Sequence, residues 1–338
     1  MKRILGTVLL LLSLCRAEGK NTLQIHTIDV EGGKAVLLIS PSGESMLIDA
    51  GWPQLPNREP SAPRIAATAK ALGLRRIDHV VISHFDGDHL GDVPQLAGLI
   101  PIGHLYDHGE FQPPARLNAR FTAYDAFRKT MPHTVLHPGD RVPLKGVDVT
   151  VVASAGEFVK KSGPANPLCT KYPQAAVLET DVEDNLSVGL LVTYGKFRML
   201  DLADLEAHHS HDLVCPVNPI GAVDVYHVNV HGQFKGMAPV LIEAIRPRVA
   251  LLGNGARKGA DPPSWPLLRN TPGLEDIWQV HYSTAGTPET NPPSDFVVNM
   301  EPADGGLPLR LEARKNGSFT LTNPRNGFSK TYRPRASR

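Results

Sequence analysis

The pattern of apolar and polar positions divides the chain into short strands and a few amphipathic helices. Thr22 to Val30 alternates with a period of two and runs into Glu31-Gly32-Gly33-Lys34. Ala35 to Ile39 and Ser45 to Asp49 read as two more strands about a Pro41-Ser42-Gly43 turn. Ile65, Ala69 and Leu72 recur at helical spacing and stop at Gly73, which predicts a helix from Pro63 to Leu72 with a glycine cap. From Ile77 a buried strand follows, centred on Val80, Val81 and Ile82. Asp92 to Leu99 reads as a helix with Pro94 in its first turn, where a missing N–H costs nothing. Leu105 to Gly109 is a strand running out into a loop. Leu117, Phe121, Tyr124 and Arg128 then line one stripe of a helix to Met131, a packing face with a snorkelling arginine.

The second half repeats the theme. Pro138-Gly139-Asp140 turns into strand material through Val152, and residues 154–182 form a Gly/Pro/Ser-rich excursion. Ser187 to Tyr194 and Lys196 to Leu202 make an apolar hairpin about Gly195. Glu206 to Val214 reads as a surface helix, Val223 to Val230 as a strand, Ala238 to Ile245 as a helix and Arg248 to Leu252 as a strand. Residues 284–306 are Pro-rich and irregular, and Leu309 to Tyr332 closes with strands about Lys315-Asn316-Gly317.

Composition changes this picture mainly at the amino terminus. Lys2 and Arg3 precede an apolar run, Ile4 to Leu14, and Cys15-Arg16-Ala17 places small residues where a signal peptidase cuts. Residues 1–17 therefore read as a signal peptide, and the mature chain is expected outside the cytoplasm, secreted or periplasmic. No later segment is long and apolar enough to span a membrane. Loss of Lys2, Arg3 and Arg16, with no acidic residue, takes the formal net charge from +1 to −2. That balance argues against a general nucleic-acid binder, which needs clustered cations. No protein partner is evident. The cysteines left, Cys169 and Cys215, are expected to pair in an exported protein.

The chemistry concentrates where the Ile77 strand ends. Ser83-His84-Phe85-Asp86-Gly87-Asp88-His89-Leu90-Gly91 releases two imidazoles and two carboxylates into one loop. Such mixed nitrogen and oxygen donors suit zinc, manganese or iron better than calcium. The segment resembles the His-x-His-x-Asp-His metal motif of the metallo-β-lactamase superfamily. Its Asp86 variant resembles the branch typified by the hydrolase domain of the DNA-uptake competence protein ComEC. The opening stretch up to Leu47-Ile48-Asp49-Ala50-Gly51 is similar to that branch too, except at Glu31 and Lys34.

The resemblance implies an α/β fold, a four-layer αββα sandwich of two mixed sheets, over residues 18–283. Residues 284–338 would be a linker and a β-hairpin extension. Two divalent cations, zinc foremost, would activate a hydroxide for attack on an ester. Asp49 would support the metal loop without touching metal. Asp204, in Asp201-Leu202-Ala203-Asp204, matches the metal-bridging aspartate, and Asp201 has no counterpart. His84, Asp86, Asp88, His89, Asp184 and His231 would supply the other ligands, with Asp88 and Asp204 the residues on which catalysis depends. Asp184 could equally be a hairpin-edge residue. Val230 stands where the family has the first of two histidines, and His227 could compensate from the same strand face. Asp107, His108, Arg257 and Lys258 are candidates to meet substrate, whereas His208, His209 and His211 match no motif and read as solvated. The implied substrate is a phosphodiester, as for a nuclease. A lactone or β-lactam, or a metal-binding module without turnover, stay open.

Overall fold

A computed structural model describes residues 21–110, 118–174, 182–301 and 306–336. The leader reading at residues 1–17, and Leu117 of the helical stripe, lie outside the described residues. Two mixed sheets face each other, with helices covering both outer surfaces. This is the αββα sandwich.

The first sheet contains Leu23–Thr27, Val36–Ile39, Ser45–Ile48, Ile77–Val81, Ile102–Asp107 and His133–Val135, in that spatial order. Its first pairings are antiparallel, and from Ser45–Ile48 onward the strands run parallel. The second sheet is parallel from Val297–Asn299 through Asp276–His281, Val249–Leu252 and Val225–His227 to Phe197–Asp201. Gly189–Tyr194, Asp148–Ser154 and the short edge strand Glu157–Phe158 complete it in antiparallel pairing.

The period-two pattern decides which face each side chain takes. Val36 and Leu38 point into the space between the sheets, where Val149, Val151, Leu190 and Val192 meet them. Leu37, Leu47 and Val80 point outward and pack under Ile65, Ala66 and Leu96 of the helices Ser61–Ala71 and Val93–Leu99. Leu200, Tyr226 and Ala250 play the same part for the second sheet, beneath Leu213, Leu241 and Ile242. Burial of each such aliphatic side chain is worth about 1.5–3 kcal/mol.

Three expectations change. The carboxyl-terminal strands are no hairpin appended to the domain. Leu309–Ala313 pairs antiparallel with Leu23–Thr27, and Phe319–Thr322 and Ser329–Tyr332 extend the first sheet beyond it. Leu311, Phe319, Leu321 and Tyr332 sit in the same inner core as Ile25 and Val36, so the tail fills the sandwich. The helix Ala207–Val214 is not a solvated surface element, because it packs on Pro239–Ile245 and buries His208. Arg128 does not snorkel. It is buried, and its guanidinium donates to Asp107 Oδ2 and to the Gly109 carbonyl, both at 2.9 Å.

The expected disulfide is present. Cys169 and Cys215, 46 residues apart, are joined with their Cα atoms at 5.8 Å. The bond fastens the long excursion to the end of the helix Ala207–Val214, and Asn166 reinforces it by donating to the carbonyls of Pro216 at 2.7 Å and Val214 at 3.0 Å. Among the described residues, no helix is long and apolar enough to cross a membrane.

Asp107 and Arg128 supply a stability test. Burial opposes the Asp107 charge, but His133 and Arg128 outweigh it and hold the carboxyl below its usual range. Arg128→Ala strands that charge and should cost about 3–5 kcal/mol in denaturant unfolding at neutral pH. A depressed folded-state pKa gives stability that is complete above the unfolded value, about 3.9, and fades as pH falls through the folded one. The gap between wild type and Arg128→Ala should therefore narrow in acid; an unchanging gap down to pH 3 would mean Asp107 is not the partner that matters.

Candidate metal centre

The strand Ile77–Val81 delivers Ser83 to Asp88 as a loop that turns into the short helix Gly87–Leu90. Gly91 follows at φ 57°, where a Cβ would come within 2.4 Å of the Ala50 carbonyl oxygen, so only glycine lets the loop close against the Asp49 turn. From the opposite sheet, Phe197–Asp201 ends in a turn that presents Asp204, and the chain after Val225–His227 presents His231.

These elements bring all seven expected ligands into two groups. Asp88, His89, Asp204 and His231 form one, and His84, Asp86 and Asp184 the other; within each, ligand atoms lie within 4.8 Å of one another. In the first group His89 Nε2 is 3.3 Å from both Asp88 Oδ2 and Asp204 Oδ1. His231 Nε2 is 3.1 Å from Asp88 Oδ2 and 3.3 Å from Asp204 Oδ2. In the second, His84 Nε2 faces Asp184 Oδ1 at 3.6 Å.

The three histidines share one arrangement, with Nε2 turned inward and Nδ1 held from behind. His89 Nδ1 is 2.9 Å from Asp49 Oδ2, His231 Nδ1 is 3.3 Å from the Gly253 carbonyl, and His84 Nδ1 lies 3.1 Å from Ser83 Oγ. Asp49 also accepts from Ser83 N and Ser83 Oγ, each at 2.7 Å, so one carboxylate holds both the loop backbone and a ring. This is how metal-binding imidazoles are oriented.

The donor set fits a divalent cation. His84 Nε2 is buried and has no hydrogen-bond partner. Burial, together with the neighbouring His89, keeps the His84 pKa well below the ordinary imidazole range, leaving a lone pair for a metal. The carboxylates crowd one another: burial, then Asp204, push the Asp184 pKa up to about 8. Burial works against Asp88 and Asp204 as well, but Lys258 and His89 hold Asp88 well below its usual range, and His231 and His89 do so for Asp204. Three buried carboxylates, Asp88, Asp184 and Asp204, with the half-buried Asp86 beside them, ask for positive charge.

Two lysines answer part of that demand. Lys258 Nζ bonds to Asp88 Oδ2 and lies 5.0 Å from the Trp52 ring centre. Lys235 Nζ bonds to Asp184 Oδ2 and sits 3.4 Å from Glu206 Oε1. Neither Lys235 nor Glu206 stood out in the sequence, since a lysine four residues after His231 carries no motif. Glu183 was missed as well. Its Oε1 accepts from Phe85 N at 2.6 Å and lies 2.9 Å from His108 Nε2, so it ties the metal loop to the next strand end.

Several expected substrate contacts lie elsewhere. Asp107 is fully buried and saturated by Gly109 N, Tyr124 Oη, Arg128 and His133, out of reach of any substrate. His108 packs tilted against Phe85, ring centres 4.3 Å apart, and supports the loop through Glu183. Arg257 is exposed, and of that basic pair only Lys258 reaches the cluster. His227 does not compensate for Val230. The strand ends at His227, and Val230 and His231 take left-handed φ of 51° and 54°, so the two histidines share no strand face. His227 lies instead beside Lys34 and Asp201.

A two-sheet αββα sandwich with paired His/Asp clusters at its strand ends defines a metallohydrolase scaffold. The chain belongs to the metallo-β-lactamase superfamily, whose family model matches residues 29–235. Members of that superfamily are mostly metal-dependent hydrolases. No curated protein matches the chain. Among solved structures, it is similar to the metallo-β-lactamase fold protein YhfI from Bacillus subtilis, at 12% identity, over 77% of this chain and 96% of that one, with a TM-score of 0.45. It is also similar to CmlA, a diiron β-hydroxylase from Streptomyces venezuelae, at 14% identity over 68% of this chain and 44% of that one, TM-score 0.38. A diphosphatase of the PhnP family gives 14% identity over 83% and 84% of the two chains, TM-score 0.38.

Glu183 offers a test of how the loop is held. Glu183→Ala leaves Phe85 N without its acceptor and should cost about 1–3 kcal/mol of stability measured in chelator. Zinc affinity, measured by chelator competition, should fall about 10–100-fold. Wild-type affinity in a folded variant would show that the loop does not depend on Glu183.

Proposed function

We propose that the chain is an exported, divalent-metal-dependent phosphodiesterase of the ComEC-like branch of its superfamily. The observation that carries this reading is the pairing of two His/carboxylate clusters with an ammonium group at each, Lys258 beside Asp88 and Lys235 beside Asp184. A pair of bound divalent ions, zinc in preference to manganese or iron, supplies an activated water and charge neutralisation for ester hydrolysis. His84, Asp86 and Asp184 would hold one ion, and Asp88, His89 and His231 the other. Asp204, grouped with Asp88, His89 and His231, would be the shared ligand that its motif implies. The chain's own residues would do the rest: Asp49 orients His89, Glu183 fixes the loop, and the two lysines attract the anionic oxygens of a phosphodiester.

A neutral lactone gains little from two ammonium groups at the centre, which favours the phosphodiester over the carbonyl alternative. The reading of a silent metal-binding module rests on Val230 and on aspartates standing where the superfamily has histidines. It loses ground because His231 joins its cluster without a second histidine before it.

The test is turnover of a bis-aryl phosphate by the metal-loaded protein, expected to vanish with chelator. Asp88→Ala and Asp204→Ala should each cost about 10²-fold or more, the scale of lost metal affinity or activity, while His209→Ala should change little. Lys258→Met should raise KM for the phosphodiester more than for an uncharged lactone, and Arg257→Met should raise neither. Efficient lactone or β-lactam hydrolysis with no phosphodiester cleavage would transfer the assignment to the carbonyl reading. Zinc binding with turnover of none of these would leave the silent module.

Export is a separate expectation. Mass spectrometry of protein recovered outside the cytoplasm should show an amino terminus at Glu18. A mass retaining Met1 would sink it.

A further inference from the structure

Two residues that depart from the branch's motifs, Lys34 and Asp201, meet each other. Lys34 Nζ donates to Asp201 Oδ1 at 2.5 Å, and both side chains are buried, 4% and 1% exposed. The partners lie 167 residues apart and come from opposite sheets. A buried ion pair is poor evidence for stability, since a well-packed apolar pair often does as well. Its contacts suggest another use.

The main chain of Lys34 grips the first sheet's half of the centre. Its N–H donates to the Asp88 carbonyl at 2.9 Å, and its own carbonyl accepts from Gly51 N at 2.8 Å, in the turn after Asp49. Asp201 grips the other half. The same Oδ1 that takes the lysine accepts from Ala203 N at 3.0 Å. Ala203 holds a left-handed φ of 50°, and Asp204 follows it directly. His227 closes the group, with Nδ1 3.3 Å from Lys34 Nζ and 3.6 Å from Asp201 Oδ2. Lys34 thus touches the Asp88 loop with its backbone and, through Asp201, the Asp204 turn with its side chain. We infer that Lys34 is a positioning residue: its ion pair with Asp201 sets the spacing between Asp88 and His89 on one sheet and Asp204 on the other, and thereby the affinity for cations.

This rests on the metal-centre reading above, and the experiment separates the two. Zinc affinity is measured by chelator competition on the full mature chain, and stability by denaturant unfolding in chelator. The proteins are wild type, Lys34→Arg, Lys34→Met and the double variant Lys34→Met/Asp201→Leu. Lys34→Met strands a buried carboxylate and is expected to lose both stability and zinc affinity, whereas Lys34→Arg keeps the charge and retains more of each. The double variant removes the stranded charge and should recover most of the stability. It should still bind zinc about 10–100-fold more weakly than wild type, because Ala203 N has lost its acceptor. Wild-type zinc affinity in the double variant overturns the inference and makes the pair a packing element. Wild type that binds none of zinc, manganese or iron overturns the metal-centre reading, and this inference with it.

Discussion

Asp88 and Asp86 from the first sheet converge with Asp184 and Asp204 from the second, so four carboxylates share one largely buried space. Burying a carboxylate without a partner is among the costliest things a fold can do. Positive charge therefore comes from Lys258 beside Asp88 and Lys235 beside Asp184. A site that needs this much compensation is built to receive cations.

The backbone carries the corresponding strain. Asp49, Ala203, Val230, His231 and Ala260 are non-glycine residues at left-handed φ between 50° and 64°, and all belong to segments that form or contact the centre. Val230 is the most telling, because a β-branched residue resists that region. Its N–H donates to the Ala203 carbonyl at 3.0 Å, and the His231 carbonyl accepts from Ala260 N at 2.9 Å. The two strained turns of the second sheet thus brace each other. Through them the positions of Asp204 and His231 are set together.

What could be read along the chain was local. The Val80–Ile82 run followed by His84 to His89, the Leu47 to Gly51 segment and Asp204 each sit in a contiguous stretch whose pattern survives unaided. Distant partnerships leave no such trace. Nothing around Leu117 to Met131 tells that Arg128 folds inward onto Asp107, because a stripe of Phe121, Tyr124 and Arg128 is equally well written for a rim arginine. The period of two cannot say where the strand after Val223 stops, and the glycine at the left-handed turn, Gly232, comes only after Val230 and His231 have already left the strand. The tail looked peripheral because its pairing partner, Leu23–Thr27, lies at the other end of the chain.

The same reasoning explains why the long excursion at residues 154–182 is fastened where it is. Asp204 is followed almost at once by the helix Ala207–Val214, whose Leu213 and Val214 are rooted in the outer core of the second sheet. The Cys169–Cys215 bond and Asn166 clamp the end of that helix, and the Lys34–Asp201 pair clamps the turn before it. Asp204 lies between the two fastenings. Its two oxygens face His89 Nε2 and His231 Nε2, each at 3.3 Å, so the carboxylate tolerates little movement. The first sheet needs no such staple, because the Asp49 carboxylate already ties its loop from within. Both fastenings lie on the sheet that supplies Asp204.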